Sequence, residues 1–423
     1  MMRTPYPLEV DLGMAWYVTD TPGVGGVLRA VPEDFQVEEV PLAEPADEGS
    51  YLICRLTKRN WEHQHAMKSI ASAMGISHRR IAWAGTKDKN AVTTQYISIY
   101  DVDEEAVARV HLKEIELQPV GRSQHQLALG GLAGNRFSIM VRGCTGPALQ
   151  ATVEACTAAA ATGLPNYFGL QRFGVVRPVT HLVGREILRG DYQAAVDTYV
   201  GLAFPDESPD VQETRRTFLE TGDPGPAIAA LPHHLGFERA VLSGLAGAPG
   251  DYAAALKNLP PKLLSMFVSA YQSWLFNRVL SMRLADGTNL DDPLPGERLL
   301  FANGREDTVT EKNKRIVSVH MKRGRCAVAF FMPGSEPRET IGKDDERMTA
   351  LLEEDGVTAE DFGRASDFVG LRYRGTLRPI AVRTEIKAEV AGQDVSLAFA
   401  LPPGHYATTV CREFMKADPH AMI

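Results

Sequence analysis

The feature that most constrains this chain is a loop held between two strands. Ile81-Ala82-Trp83 is strand-like, and Thr93-Thr94-Gln95-Tyr96-Ile97-Ser98-Ile99 is β-prone. Between them runs Ala84-Gly85-Thr86-Lys87-Asp88-Lys89-Asn90-Ala91-Val92. A loop anchored at both ends on rigid elements is where chemistry is often placed. This one sets a single carboxylate, Asp88, between Lys87 and Lys89. The flanking ammonium groups favour the ionised acid. By themselves the residues fit two roles. One is a solvated surface turn. The other is a phosphate-gripping loop whose carboxylate acts on a nucleotide.

Length and charge narrow the setting. A chain of 423 residues is too long for one ordinary core, so two domains are expected. No apolar run approaches the roughly 20 residues that span a bilayer. Met1 to Pro7 lacks an apolar signal-peptide core, so the expected location is the cytoplasm. Cys54, Cys144, Cys156, Cys326 and Cys411 are scattered without a C-x-x-C pair, which fits reduced thiols. The net charge is −8, yet Arg55 to Lys89 holds eight basic residues against two acids, a local +6. A basic patch on an acidic body fits one polyanion docking at one place.

Patterning predicts strands within residues 31–57 around the acidic loop 44–49. A helix is expected over 62–75, burying Ala66, Ile70, Ala73 and Met74 and exposing His63 and His65. Residues 124–129 and 135–141 are expected to form a hairpin, and 147–162 an Ala-rich helix. From about residue 176 the pattern turns helical, with 203–261 broken by Pro and Gly and a long helix near 262–284. Strand character returns at Arg378, and a last helix ends near Lys416.

Some motifs are absent. The Gly23-Val24-Gly25-Gly26 stretch precedes no helix, which argues against a dinucleotide fold. His63, His65 and His78 lack a fourth ligand at metal spacing, so no metal is expected.

Five segments together resemble one family. Gly85 to Thr93 matches Gly-x-Lys-Asp-Lys-x-Ala-Val-Thr, the catalytic motif of the TruD family of tRNA pseudouridine synthases. Pro32-Glu33-Asp34-Phe35-Gln36-Val37, Gly134-Asn135-Arg136-Phe137 and Pro165-Asn166-Tyr167-Phe168-Gly169-Leu170-Gln171-Arg172-Phe173-Gly174 follow in the family's order, and Leu401 to Glu413 closes the chain. The enlarged, loosely matching middle looks like the archaeal and eukaryotic branch. The resemblance implies an α+β fold: a pseudouridine synthase domain with a mixed, largely antiparallel sheet flanked by helices, interrupted by a mostly helical TRUD insertion. The catalytic domain is then 1–170 and 376–423, and the insertion 171–375.

The implied activity is isomerisation of uridine, at position 13 of tRNA, to pseudouridine without a cofactor. The partner is tRNA with one uridine extruded into the site, and the enzyme is expected to be monomeric. Asp88 is the implied catalytic residue, either attacking ribose C1′ or removing a ribose proton. Positions matching Phe35, Asn135 and Tyr406 line the uracil site in the family, which often has Phe at the last. Phe137 falls where other pseudouridine synthases carry Tyr. Lys87 and Lys89 are expected to contact phosphate or orient groups, with Arg55, Arg79, Arg80, Arg172 and Arg412 as weaker phosphate candidates. The block 166–174 fits an interdomain hinge better than a stacking platform. The rival reading is a catalytically inactive tRNA-binding protein or RNA chaperone.

Overall fold

A computed structural model describes residues 1–423, which divide into two compact units. The first joins Val18–Leu164 to Val382–Ile423, and the second joins Met1–Tyr17 to Pro165–Ala381. The class is α+β, as expected. The crossings fall at 164/165 and 381/382, and residues 1–17 belong with the middle segment rather than with the sheet. Polar groups on the long helix Pro261–Ala285 explain this. Trp274 Nε1 donates to Asp11 O at 2.9 Å, Asn277 Nδ2 to Leu12 O at 3.0 Å, and Ser281 Oγ to Gly13 O at 2.5 Å.

The first unit is built on one nine-stranded sheet. Its strands are β1 (Gly25–Val27), β2 (Phe35–Pro41), β3 (Tyr51–Arg59), β4 (Ile81–Trp83), β5 (Val92–Tyr100), β6 (Ile115–Ser123), β7 (Leu132–Cys144), β8 (Lys387–Ala391) and β9 (Asp394–Leu401). The order is β8-β9-β7-β2-β5-β3-β6, with β1 on β7 and β4 on β5. Only β2 and β5 run parallel. The predicted 124–129/135–141 hairpin does not form. Residues 124–129 leave the sheet, with Leu127 N donating to Ser98 Oγ at 2.9 Å, and β6 pairs with β3 instead.

Three helices cover one face: α1 (His63–Met74), α2 (Leu149–Thr162) and α3 (Ala407–Met415). Glu62 caps α1 by accepting from Gln64 N and His65 N, and Gly75 ends it at φ 71°. Ala66, Met67, Ile70 and Met74 of α1 pack on Leu52, Cys54, Leu56, Ile97 and Ile99. Val153 and Cys156 of α2 and Val410 and Phe414 of α3 pack on Val37, Phe137, Ile139, Leu397 and Phe399. Each fully buried Leu, Ile or Phe stabilises by about 1.5–3 kcal/mol. These two apolar clusters share a sheet face but do not merge. Between them lie the buried polar groups Glu39, Thr93, Gln95 and Lys58, with Asn135 across from Glu39 and Thr93 across from Lys58. A polar seam therefore divides the core.

The second unit is mainly helical. Its Pro/Gly-broken segment folds as short helices, because Pro209 and Pro224 stand in first turns, where a missing N–H costs nothing. Glu306–Thr308, Arg298–Phe301, Cys326–Met332 and Thr376–Pro379 form an antiparallel four-stranded sheet. Tyr167, Phe168 and Phe173 are buried here, so their rings are not a stacking platform. Phe168 N donates to Asn277 Oδ1 at 2.8 Å, and Arg378 lies 3.8 Å over the Phe168 ring. No helix in the chain is long and apolar enough to cross a membrane.

Candidate active site

The loop 84–91 joins β4 to β5 at the polar seam and is tied down at every turn. Gly130 N donates to Ala84 O at 2.8 Å, Gln95 Nε2 to Gly85 O at 3.3 Å, and Asn60 N to Ala91 O at 3.1 Å. Lys58 Nζ donates to Asp88 O at 2.7 Å and to Trp61 O at 2.8 Å. The backbone of Asp88 is thus fixed from inside the fold, while its carboxylate is 59% exposed.

The cation that meets this carboxylate is not one of its lysine neighbours. Arg29 Nη2 donates to Asp88 Oδ2 at 2.8 Å, and its guanidinium lies 3.9 Å over the Phe35 ring. Arg29 adopts φ 55° and donates from Nη1 to Met422 O at 3.2 Å. Asp34, buried in the Pro32–Asp34 turn, accepts from Val31 N and from Arg142, which fixes the entry into β2. Phe35 meets Phe137 edge-on at 6.3 Å, and Phe137 stacks on Phe399 at 5.4 Å. Asp88, Arg29 and three aromatic rings form one contiguous line.

Lys87 is buried and donates to Glu39 Oε2 at 2.5 Å, a placement that suits the orienting half of its expected role better than a phosphate contact. Glu39 also accepts from Tyr96 N at 3.2 Å. A Cβ at Gly85 would stand 3.2 Å from Lys87 Nζ, so a side chain there would press on this pair. Lys89 is exposed, as a phosphate contact requires. Arg55 and Arg80 are engaged by Glu38 and by the Tyr100 carbonyl, and Arg172 by Ser273. Arg412 is buried.

Asn135 lies across from Glu39 on β7, and its Oδ1 is buried without a hydrogen-bond partner. Gly134 before it is required by close approach, because a Cβ would sit 2.6 Å from Leu401 O. Tyr406 is half-buried at the N-terminus of α3, where its carbonyl accepts from Thr409 Oγ1 at 2.8 Å.

His63, expected on the surface, is buried under the loop with its ring 4.7 Å from Trp83. Burial, with the Lys58 ammonium next, pushes it down to about 4. Burial also pushes Lys58 down to about 8, against the pull of Asp88 and Glu62, while Lys87 pushes it further down. An open groove of about 400 Å³ on the other sheet face is lined by Gln36, Glu38, Arg55, Thr94, Arg136 and Ser138. Strand alternation points those side chains away from Glu39 and Asn135, so the groove is not this site.

A sequence model of the family tRNA pseudouridine synthase D (TruD) matches residues 11–414. The chain belongs to the TruD family. Its relatives include "Probable tRNA pseudouridine synthase D" of Methanococcoides burtonii, 39% identical with 98% of each chain covered. That of Methanosarcina barkeri is 38% identical over the whole of both chains. The crystal structure of the TruD homologue from Methanosarcina mazei superposes with TM-score 0.84 at 36% identity, covering 100% of each chain. This TruD-family protein is a tRNA pseudouridine synthase, an isomerase.

Proposed function

We propose that the sheet unit converts one uridine of tRNA, at position 13, to pseudouridine through Asp88, with the middle segment as the TRUD insertion. Breaking the C1′–N1 bond and joining C1′ to C5 involves no net redox change, so the chemistry calls for no cofactor. The observation that carries this reading is an exposed carboxylate on a backbone that Lys58 holds, beside Arg29 and an aromatic line. Arg29 orients the carboxylate, for attack at C1′ or for proton removal from the ribose. The extruded base packs beside half-buried Tyr406 and at the edge of the buried Phe35–Phe137 pair, offsetting an unstacking cost of a few kcal/mol. The partnerless Asn135 Oδ1 suits a donor such as uracil N3–H. Lys89 contacts phosphate, and Lys87 orients the loop from below through Glu39. The protein works as a cytoplasmic monomer.

The test is tritium release from C5-labelled uridine in unmodified tRNA, with EDTA present. The wild type should release tritium and the Asp88→Asn variant should not. Equal release by both proteins would remove Asp88 from the chemistry.

A further inference from the structure

A second basic surface lies in the helical unit. Residues 312–325 carry Lys312, Lys314, Arg315, Lys322, Arg323 and Arg325 with no acid among them, +6 in a chain of net −8. They occupy the helix Lys314–Lys322 and the turns flanking it. Val317 and Met321 are its buried residues. Arg315, Lys322, Arg323 and Arg325 are exposed and in no ion pair, and Lys314 meets Asp292 at 3.4 Å. Ile316 is 61% exposed and Val319 47%.

Local structure does not account for these charges. Cations near a helix C-terminus complement its dipole, which would explain Lys322 and Arg323. Lys314 and Arg315 occupy the first turn, where the dipole disfavours them. Hydrogen bonds close both ends of the helix. Thr310 N donates to Asn313 Oδ1 at 2.7 Å and Asn313 Nδ2 to Thr308 O at 3.0 Å. Gly324 turns at φ 65°, and Arg325 N donates to His320 O at 2.9 Å.

We propose that this helix and its C-terminal turn form a docking surface for the phosphate backbone of the tRNA substrate, separate from the loop that carries Asp88. The proposal rests on the tRNA-modifying reading. Charge complementarity selects the occupant: an array of cations without intervening acids suits a polyanion, and neutralising phosphates releases counterions. The exposed Ile316 and Val319 then lie against ribose or base edges between phosphate contacts.

The test is a full-length variant with Arg315, Lys322, Arg323 and Arg325 all changed to Ala. A control variant changes Lys257, Lys262, Arg372 and Arg374, exposed in the same unit, to Ala and loses the same charge. Binding of unmodified tRNA is measured across a salt series, with pseudouridine formation alongside. The surface variant should bind at least about 10-fold more weakly, with a salt slope lower by roughly 2–3. Its defect should fall in KM, with the rate at saturating tRNA within about 2-fold. The control should bind like wild type. Unchanged affinity and slope in the surface variant would overturn the proposal, as would an equal loss in the control. A wild type that binds tRNA but forms no pseudouridine would instead overturn the activity reading, with the binding series still judging the surface.

Discussion

Two stretches of this chain carry the same charge and put it to different uses. Residues 55–89 and 312–325 are each +6. In the first, Lys58 and Lys87 are buried, holding the Asp88 backbone and Glu39. Arg55 meets Glu38, Arg59 meets Glu33, and Arg80 meets backbone carbonyls. Lys68, Arg79 and Lys89 remain exposed. In the second stretch nearly every cation faces solvent. The lesson is that local charge does not report a nucleic-acid surface until burial and partners are known. The first stretch chiefly builds the site, and the second is free to grip.

The largest test of that contrast is Asp88→Asn, expected to abolish product while tRNA affinity stays within a few-fold. Single-turnover kinetics beside a binding titration would check both halves. Lys87→Met strands the buried Glu39 carboxylate and should cost about 3–5 kcal/mol of stability, read by denaturant unfolding. A Lys87 that acted on phosphate would instead change the salt slope and leave stability alone. Lys58→Met releases the Asp88 carbonyl. A displacement of about 1 Å at the reacting group costs roughly 100-fold in rate, and tRNA affinity should hold.

Acid provides a smaller test. The His63 imidazole is held down to about 4 and His181, buried in the helical unit, down to about 3. Both stay neutral in the folded protein while the unfolded chain protonates them below about 6.5. The unfolded state then binds more protons, so stability falls as pH drops from about 6.5 towards 4. Each histidine contributes on the order of 1–3 kcal/mol to that loss. His63→Leu should flatten the dependence, as urea unfolding at pH 4.5 and 7 would show. The smallest effect is expected from Lys89→Ala, whose salt slope should fall by about 1 with stability unchanged.

Much of this was legible in the sequence. The Asp88 loop, its flanking strands and the long helix stood out because turn residues and apolar period are local signals. Lys58 and Glu39 also carry a local signal. Alternation places Lys58 in line with Leu52, Cys54 and Leu56, and Glu39 with Phe35 and Val37. A charge on the apolar parity of a strand marks a buried group with a partner. Arg29 gave no such signal, since 59 residues separate it from Asp88 and only the fold brings them together. The hairpin failed for a related reason. Residues 124–129 had strand composition, but β3 already offered its free edge to 115–123.

The most direct measurement pairs the single-turnover rate with tRNA affinity for Lys58→Met and for the Arg315/Lys322/Arg323/Arg325→Ala variant. The account predicts opposite signatures: a slower chemical step at near-normal affinity for the first, and weaker binding at a near-normal saturated rate for the second. If both variants lose affinity alone, or both lose the chemical step alone, the two basic stretches do the same work and the account is contradicted.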